Sequence, residues 1–212
     1  MDIKAFIFDL DGVLVFTDKY HYLAWKEVAD ELDTYFDEEI NNRLRGVSRM
    51  ESLDIILERY EGPALSDEEK VKMATKKNEI YRGLLGQMTR DDVTDDVRNT
   101  LKELRKRGIK VALGSSSKNA RYILEKVELL DAFDEISDGN NITKSKPDPE
   151  VFIKAAQFVN IDSEHCAVVE DAYAGIDAAK AGNMLAFAIG DACGYEKSDI
   201  RIDNISDILT YV

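Results

Sequence analysis

Hydrophobic residues follow two different patterns along the chain. Short continuous apolar runs, of which Ala5–Phe8 is the first, are typical of buried strands in a parallel sheet. Between residues 18 and 88 the apolar positions instead recur every three or four residues, as on one face of a helix. From residue 93 onward, short apolar runs alternate with helical stretches. The pattern predicts an α/β fold with a doubly wound parallel sheet and an inserted all-helical cap domain.

Local start and stop signals place the individual elements. In the insertion, helices are predicted over residues 18–32, 48–60 and 66–85, the last two opened by capping boxes that begin at Ser48 and Ser66. In the core, helices are predicted over 95–107, 118–129 and 148–159, with a further helix ending at Gly182. Asp148 is the expected N-cap of the third, with Pro149 as its first residue. Strands are predicted at 109–113, 166–169 and 185–189, with weaker candidates at 135–136 and 200–202.

The predicted domains follow from these elements. The catalytic core comprises residues 1–15 and 93–212, the cap comprises 18–88, and hinge linkers lie at 15–18 and 86–92. A chain of 212 residues, 44% of them hydrophobic, is long enough to bury one good core and a smaller satellite domain.

Composition limits the partners and the compartment. The net charge of −14 argues against nucleic acid and anionic membranes. The start of the chain does not look like a signal peptide, and no apolar run approaches the roughly 18 residues that span a bilayer. Cys166 and Cys193 have neither metal nor disulfide spacing, as is usual in a reducing compartment. We therefore expect a cytoplasmic protein with no membrane or nucleic-acid partner.

Candidate chemistry begins where the first strand ends. Asp9 and Asp11 follow the apolar run, and Gly12 indicates that the strand is already ending. Ligands in open α/β sheets bind at the carboxyl ends of strands. Two acids placed together raise the pKa of one of them, whereas a divalent cation keeps both ionised. The alternative is an acidic strand-to-turn junction without function.

Three further polar clusters follow predicted strands. They are Ser115, the loop around Lys146, and the acidic pair Glu170 and Asp171. Acids, a hydroxyl and a lysine are what phosphoryl transfer through an aspartyl phosphate requires: one carboxylate attacks, Mg²⁺ bridges, and a cation neutralises the phosphoryl oxygens.

The order and spacing of these motifs resemble the haloacid dehalogenase superfamily of phosphotransferases, with a Rossmann-like core, over nearly the whole chain. The resemblance implies that Asp9 is the nucleophile, that Asp11 is the general acid and base, and that Ser115 and Lys146 assist the transferring phosphoryl group. It also implies a cis peptide bond between Lys146 and Pro147. Mg²⁺ would be held by the side chains of Asp9, Glu170 and Asp171 and by the backbone oxygen of Asp11.

The cap and the loop after the second core strand resemble the sugar-phosphate mutases of that superfamily. The implied substrate-binding residues are His21, Trp25, Arg45, Gly46, Val47, Ser48, Arg49, Ser52 and Lys77 in the cap, and Ser116, Ser117, Lys118 and Asn119 in the core. Structural alternatives stay open for several of them. His21 and Trp25 are also plausible core residues, the arginines plausible surface charges, and Ser48 a plausible helix cap.

The resemblance implies a reaction. It is the isomerisation of β-D-glucose 1-phosphate to glucose 6-phosphate through β-D-glucose 1,6-bisphosphate, by a monomer whose partners are small phosphorylated sugars. One alternative is a Mg²⁺-dependent sugar-phosphate phosphatase of the same superfamily. A more remote one is a signalling receiver domain, which also has an acidic Mg²⁺ pocket and a phosphate-accepting aspartate but has no helical block after its first strand.

Overall fold

The computed structural model describes residues 2–45 and 47–212 of the chain. Gly46, one of the predicted substrate-binding residues, lies outside the described residues. The chain divides into two compact units. One contains the described residues up to Phe16 together with Thr89–Val212, and the other contains Thr17–Met88. Among the described residues, no helix is long and apolar enough to cross a membrane.

The unit Thr17–Met88 is helical. Its helices are α1 (Asp18–Glu31), α2 (Glu38–Asn42), α3 (Arg49–Leu57) and α4 (Asp67–Leu85). Both predicted capping boxes form, at the starts of α3 and α4. Helix α2 was not predicted, because it spans little more than one turn and so shows no periodicity; Asp37 caps it by accepting the Ile40 N–H at 2.9 Å. The apolar faces meet in a cluster that includes Trp25, Phe36 and Leu53.

The larger unit is built on a parallel sheet. Within the described residues its strands are β1 (Ala5–Phe8), β2 (Lys110–Gly114), β3 (Glu135–Ser137), β4 (Cys166–Glu170), β5 (Leu185–Ala188) and β6 (Ile200–Arg201). They lie in the order β3-β2-β1-β4-β5-β6, and every pair is parallel. The predicted fold class is therefore confirmed, including both short strands. Strand β1 is central and buried along its whole length, which explains its uninterrupted apolar sequence.

The same unit contains four α-helices among the described residues. They are α5 (Asp95–Lys106), α6 (Ala120–Lys126), α7 (Glu150–Phe158) and α8 (Tyr173–Ala181). One face of the sheet packs against α7 and α8 in a core that includes Ile7, Phe152, Val168 and Ile176. Short 3₁₀ helices occupy Arg90–Asp92, Leu130–Ala132, Ser163–His165, Gly190–Gly194 and Ile205–Tyr211.

Three predicted helices need corrected bounds. Helix α3 ends at Leu57 rather than at residue 60. Helix α6 is shorter than the predicted 118–129, and it ends before Glu128, whose φ of 52° is left-handed. Helix α7 begins at Glu150 rather than at Pro149. Asp148 still supplies the capping interaction, because its carboxylate accepts the Glu150 N–H at 3.0 Å.

Candidate active site

The carboxyl ends of three neighbouring strands bring the predicted core residues together. Phe8, the last residue of β1, pairs with Val169 of β4. Asp9 comes next, and its N–H donates to the Val169 carbonyl at 3.0 Å. Ser115 directly follows β2, and Glu170 is the last residue of β4. The parallel register therefore places an acid, a hydroxyl and a second acid at one edge of the sheet.

Asp9, Glu170 and Asp171 form a carboxylate cluster. One oxygen from each lies within 4.8 Å of the others, and Asp9 and Glu170 are only 7% and 1% exposed. Burial raises the pKa of Glu170 well above its usual value; Lys146 opposes this rise, and Asp9 and Asp171 add to it. Carboxylate oxygens are the ligands that Mg²⁺ prefers, and a cation among them would offset their repulsion. The donor set fits Mg²⁺.

Lys146 lies against this cluster. Its side chain is 2% exposed, and Nζ is 2.5 Å from Asp9 Oδ1 and 3.4 Å from Glu170 Oε1. Nζ also lies 4.6 Å from the centroid of the Phe152 ring. Burial alone would lower the pKa of Lys146, but Asp9 and Glu170 more than offset this and raise it above the usual lysine value. The peptide bond between Lys146 and Pro147 is cis, as the family resemblance implied.

Asp11 lies in a tight turn just beyond the cluster. The turn is closed by the Gly12 N–H, which donates to the Val15 carbonyl at 2.7 Å, and by the Leu14 N–H, which donates to the Leu10 carbonyl at 2.9 Å. Asp11 is half-buried, and its carboxylate is not one of the three that form the cluster within the described chain. Asp9 therefore belongs to the carboxylate cluster, whereas the Asp11 side chain does not.

Residues Ser115–Asn119, here called the serine loop, connect β2 to α6. Ser115 Oγ accepts the Ser117 N–H at 3.2 Å, and Ser117 Oγ accepts the Asn119 N–H at 3.2 Å. These two amides therefore donate within the loop. Lys118 is exposed, and Ser116 Oγ is buried with no hydrogen-bond partner among the described residues. The ammonium of Lys118 is thus the charged group that this loop offers to an anion.

In the helical unit, Lys77 is buried among aromatic rings. Its Nζ lies 4.3 Å from the ring centroid of Tyr81 and 5.1 Å from that of Trp25. Nζ is also 2.9 Å from His21 Nδ1, so Nδ1 is the acceptor and Nε2 carries the ring proton. Burial, Lys77 and Arg49 lower the pKa of His21 well below its usual value, which keeps the ring neutral. Tyr81 was not predicted; its position four residues after Lys77 on one helix was the available signal.

The remaining predicted cap residues lie around the start of α3. Arg45 forms an ion pair with Asp18, and Arg49 donates to Asn78 Oδ1 at 2.8 Å. Ser48 caps the helix, as its structural alternative required. Ser52 is buried, and its hydroxyl donates to the Ser48 carbonyl at 3.0 Å. Val47 is half-buried.

Comparison with known proteins decides the family. The family model of haloacid dehalogenase-like hydrolases matches residues 3–183. The chain belongs to this family. It is 39% identical to the β-phosphoglucomutase of Bacillus subtilis (strain 168), over 97% of this chain and 92% of the relative. It is 30% identical to the phosphorylated carbohydrates phosphatase of Thermotoga maritima, over 86% of this chain and 82% of the relative.

A solved member of the family has a closely similar structure. The β-phosphoglucomutase of Clostridium difficile aligns with a TM-score of 0.91 and 38% identity, over 97% of this chain and 93% of that one. Membership in the haloacid dehalogenase-like family decides against the receiver-domain alternative, because it accounts for the core and the helical insertion together.

Two glycines in this member of the family make room for the acidic cluster. Gly12 has a φ of 84°, and a Cβ there would lie 2.0 Å from Asp171 Oδ2. A Cβ on Gly175, in α8, would lie 1.9 Å from Glu170 Oε1. Gly175 was not singled out from the sequence. The available signal was a glycine inside a helix, which costs about 1 kcal/mol relative to alanine and so calls for a packing reason.

We expect Gly175→Ala to weaken Mg²⁺ binding by about 10- to 100-fold, because the added methyl group displaces the Glu170 carboxylate. Isothermal titration calorimetry with MgCl₂ measures the affinity. Gly83→Ala is the matched control, because Gly83 also lies in a helix and a Cβ there would meet nothing within 4 Å. The control should keep the wild-type affinity and gain up to about 1 kcal/mol of stability. Wild-type affinity in Gly175→Ala would show that Glu170 does not hold the metal.

Proposed function

We propose that the chain is a β-phosphoglucomutase, interconverting β-D-glucose 1-phosphate and glucose 6-phosphate through β-D-glucose 1,6-bisphosphate. The observation that carries the chemistry is the contact of Lys146 with Asp9 beside Glu170, at 2.5 and 3.4 Å. The choice of substrate is supported by the 39% identity to the Bacillus subtilis β-phosphoglucomutase over nearly the full chain.

In the proposed cycle, Asp9 carries the phosphoryl group as an aspartyl phosphate. The C6 hydroxyl of β-glucose 1-phosphate attacks the phosphorus, the bond to Asp9 breaks, and Asp11 takes the hydroxyl proton. The bisphosphate then reorients, its C1 phosphoryl group returns to Asp9, and Asp11 returns the proton to the C1 oxygen. Each turnover regenerates both the phosphorylated Asp9 and the unprotonated Asp11 carboxylate.

The residues around Asp9 supply charge and position. The ammonium of Lys146 neutralises oxygens of the transferring phosphoryl group, and Ser115, at the end of the neighbouring strand β2, assists it. Asp9, Glu170, Asp171 and the backbone oxygen of Asp11 would hold Mg²⁺. When bound, the cation supplies further neutralisation of the phosphoryl oxygens.

Substrate binding is assigned to basic and polar residues of both units. Because the chain has a net charge of −14, a bisphosphate needs local positive charge. In the core the serine loop offers Lys118, and in the helical unit the candidates are Arg49 and Lys77. His21 is neutral with its proton on Nε2, so it is suited to donate a hydrogen bond to a sugar oxygen. We propose that the other residues predicted to bind substrate in the sequence analysis also contact the substrate.

A phosphatase is the second candidate. The chain is 30% identical to the phosphorylated carbohydrates phosphatase of Thermotoga maritima and 29% identical to the fructose-1-phosphate phosphatase YqaB of Escherichia coli. A phosphatase with this core differs only in the acceptor, because water rather than a sugar hydroxyl attacks the aspartyl phosphate.

The two functions make different kinetic predictions. For a mutase, turnover of β-glucose 1-phosphate should begin with a lag, because Asp9 must first be phosphorylated, and added β-glucose 1,6-bisphosphate should remove that lag. Glucose 6-phosphate is followed by a coupled dehydrogenase assay and free phosphate by a colorimetric assay on the same sample. Phosphate release that outruns glucose 6-phosphate formation would establish the phosphatase instead.

A variant of the helical unit sharpens the distinction. Arg49→Ala should lower isomer formation far more than hydrolysis of p-nitrophenyl phosphate, since that small donor carries no second phosphate. Arg59→Ala, which removes an exposed arginine, is the control and should change neither rate. If Arg49→Ala lowers both rates equally, Arg49 does not contribute specifically to sugar recognition.

A further inference from the structure

The connection between β3 and α7, residues 138–149, contacts the serine loop and carries Lys146. It begins with Asp138, which is buried, and whose carboxylate accepts the Asn140 N–H at 2.9 Å. Asn141 Oδ1 accepts the Asp138 N–H at 3.2 Å, and its amide nitrogen donates to the Ile136 carbonyl at 3.4 Å. The first turn of this connection is thus held by its own side chains and by β3.

That turn contacts the serine loop through backbone and side chain. Asn140 Nδ2 donates to the Lys118 carbonyl at 3.0 Å, and the Gly139 N–H donates to the Ser117 carbonyl at 3.2 Å. A Cβ on Gly139 would lie 2.4 Å from the Ser116 carbonyl oxygen, so only glycine permits this approach. Two carbonyls of the serine loop are therefore fixed from outside the loop.

The other end of the connection is held by Glu150, the first residue of α7. Its Oε2 accepts the Thr143 N–H at 2.8 Å, the Thr143 hydroxyl at 2.9 Å and the Lys144 N–H at 2.8 Å. Lys146 follows two residues later and extends to Asp9. The carboxylate of Glu150 thus fixes the backbone from which the Lys146 side chain departs.

Lys154 joins the two ends. Its Nζ lies 2.7 Å from Glu150 Oε1 and donates to the Asn141 carbonyl at 2.5 Å. Neither Asn140 nor Glu150 has a contact with Asp9, Glu170 or Asp171 among the described interactions. Asn140 instead contacts the serine loop, and Glu150 contacts the segment that precedes Lys146.

We propose that Asn140 and Glu150 are separate positioning residues, Asn140 for the serine loop and Glu150 for the segment that carries Lys146. The proposal rests on the function proposed above and adds two residues to it. Because Ser116, Ser117, Lys118 and Asn119 of the serine loop are assigned to substrate binding, Asn140 governs substrate affinity. Because Lys146 contacts the nucleophile, Glu150 governs the rate of phosphoryl transfer.

The test is a split between KM and kcat. Asn140→Ala should raise KM for β-glucose 1-phosphate about three- to tenfold, the effect of losing one hydrogen bond, with kcat unchanged. Glu150→Ala should lower kcat about 10- to 100-fold through misplacement of Lys146, with KM unchanged. Glu150→Gln keeps an oxygen for the Thr143 and Lys144 amides, so it should recover most of that loss. Asn99→Ala and Glu196→Ala remove exposed residues of the same types and should match the wild type.

Hydrolysis of p-nitrophenyl phosphate separates this proposal from the proposed function. Glu150→Ala should lower that rate as well, and Asn140→Ala should instead raise the inhibition constant of glucose 6-phosphate against it. If the wild type forms no glucose 6-phosphate, the proposed mutase function is wrong. The effects of both substitutions can still be measured in the hydrolysis assay. Parallel changes of KM and kcat in the two variants, wild-type behaviour of both, or no recovery in Glu150→Gln would each overturn the proposal.

Discussion

Asp9→Asn is expected to abolish both isomerisation and hydrolysis, because an amide cannot take the place of the attacking carboxylate. Mass spectrometry after incubation with a small acyl phosphate should show one added phosphoryl group on the wild type and none on the variant. The variant should also bind Mg²⁺ more weakly, since Asp9 contributes an oxygen to the acidic cluster.

Asp11→Asn is the matched comparison, because it makes the same substitution two residues away. Its expected loss is about 10²–10⁴-fold in sugar turnover, the usual contribution of a general acid–base group. Mg²⁺ affinity should stay near the wild-type value, because the proposed contact at position 11 is a backbone oxygen that asparagine retains. Phosphorylation of Asp9 should still be detectable. A loss of less than about tenfold would exclude the Asp11 side chain as the proton carrier.

The sequence was most informative where one element decides its own conformation. The run Ala5–Phe8 predicted a fully buried strand because no position in it is polar, and β1 lies at the centre of the sheet. The capping boxes at Ser48 and Ser66 predicted two helix starts because their hydrogen bonds are local. Helix α2 has neither a long period nor such a box, and for that reason it was missed.

The core of the candidate site could be anticipated because parallel strands bring their carboxyl ends to one edge. Asp9, Ser115, Glu170 and Asp171 needed only the strand assignments. Contacts that depend on tertiary packing could not be read in the same way. One such contact is the space that Gly175 leaves for Glu170. Another is the packing of Lys77 against Tyr81 and Trp25. Both depend on tertiary packing, which hydrophobic periodicity does not specify.

In the serine loop, side chains take up part of the backbone donor set. A loop that leads into a helix normally offers unpaired N–H groups to an anion. Here the hydroxyls of Ser115 and Ser117 accept two of those N–H groups, at 3.2 Å each. Serine side chains compete for backbone donors in this way, so the same residues that suggested an anion site also occupy part of its donor set.

Lys146→Met is expected to destabilise the protein by about 3–5 kcal/mol in the absence of Mg²⁺, because it removes the buried cation and leaves Asp9 and Glu170 facing each other. The pKa of Lys146 is raised in the folded state, so its charge stabilises the fold at neutral pH and that contribution is lost only at strongly alkaline pH. Urea unfolding at pH 7 measures the difference. Isomerisation and hydrolysis should both fall to near zero.

Two further measurements assign the destabilisation to charge rather than to packing. Mg²⁺ should restore more stability to Lys146→Met than it adds to the wild type, because it neutralises the same carboxylates. The deficit should also shrink as the pH falls, since protonated carboxyl groups no longer repel each other. Lys144→Met is the control: that side chain is 71% exposed and, within the part of the chain that the structure describes, its ion pair is with Asp148 at 3.5 Å, so its loss should cost less than about 1 kcal/mol. If the loss of stability in Lys146→Met depends on neither Mg²⁺ nor pH, the role of Lys146 is to fill space at this site rather than to neutralise the carboxylates.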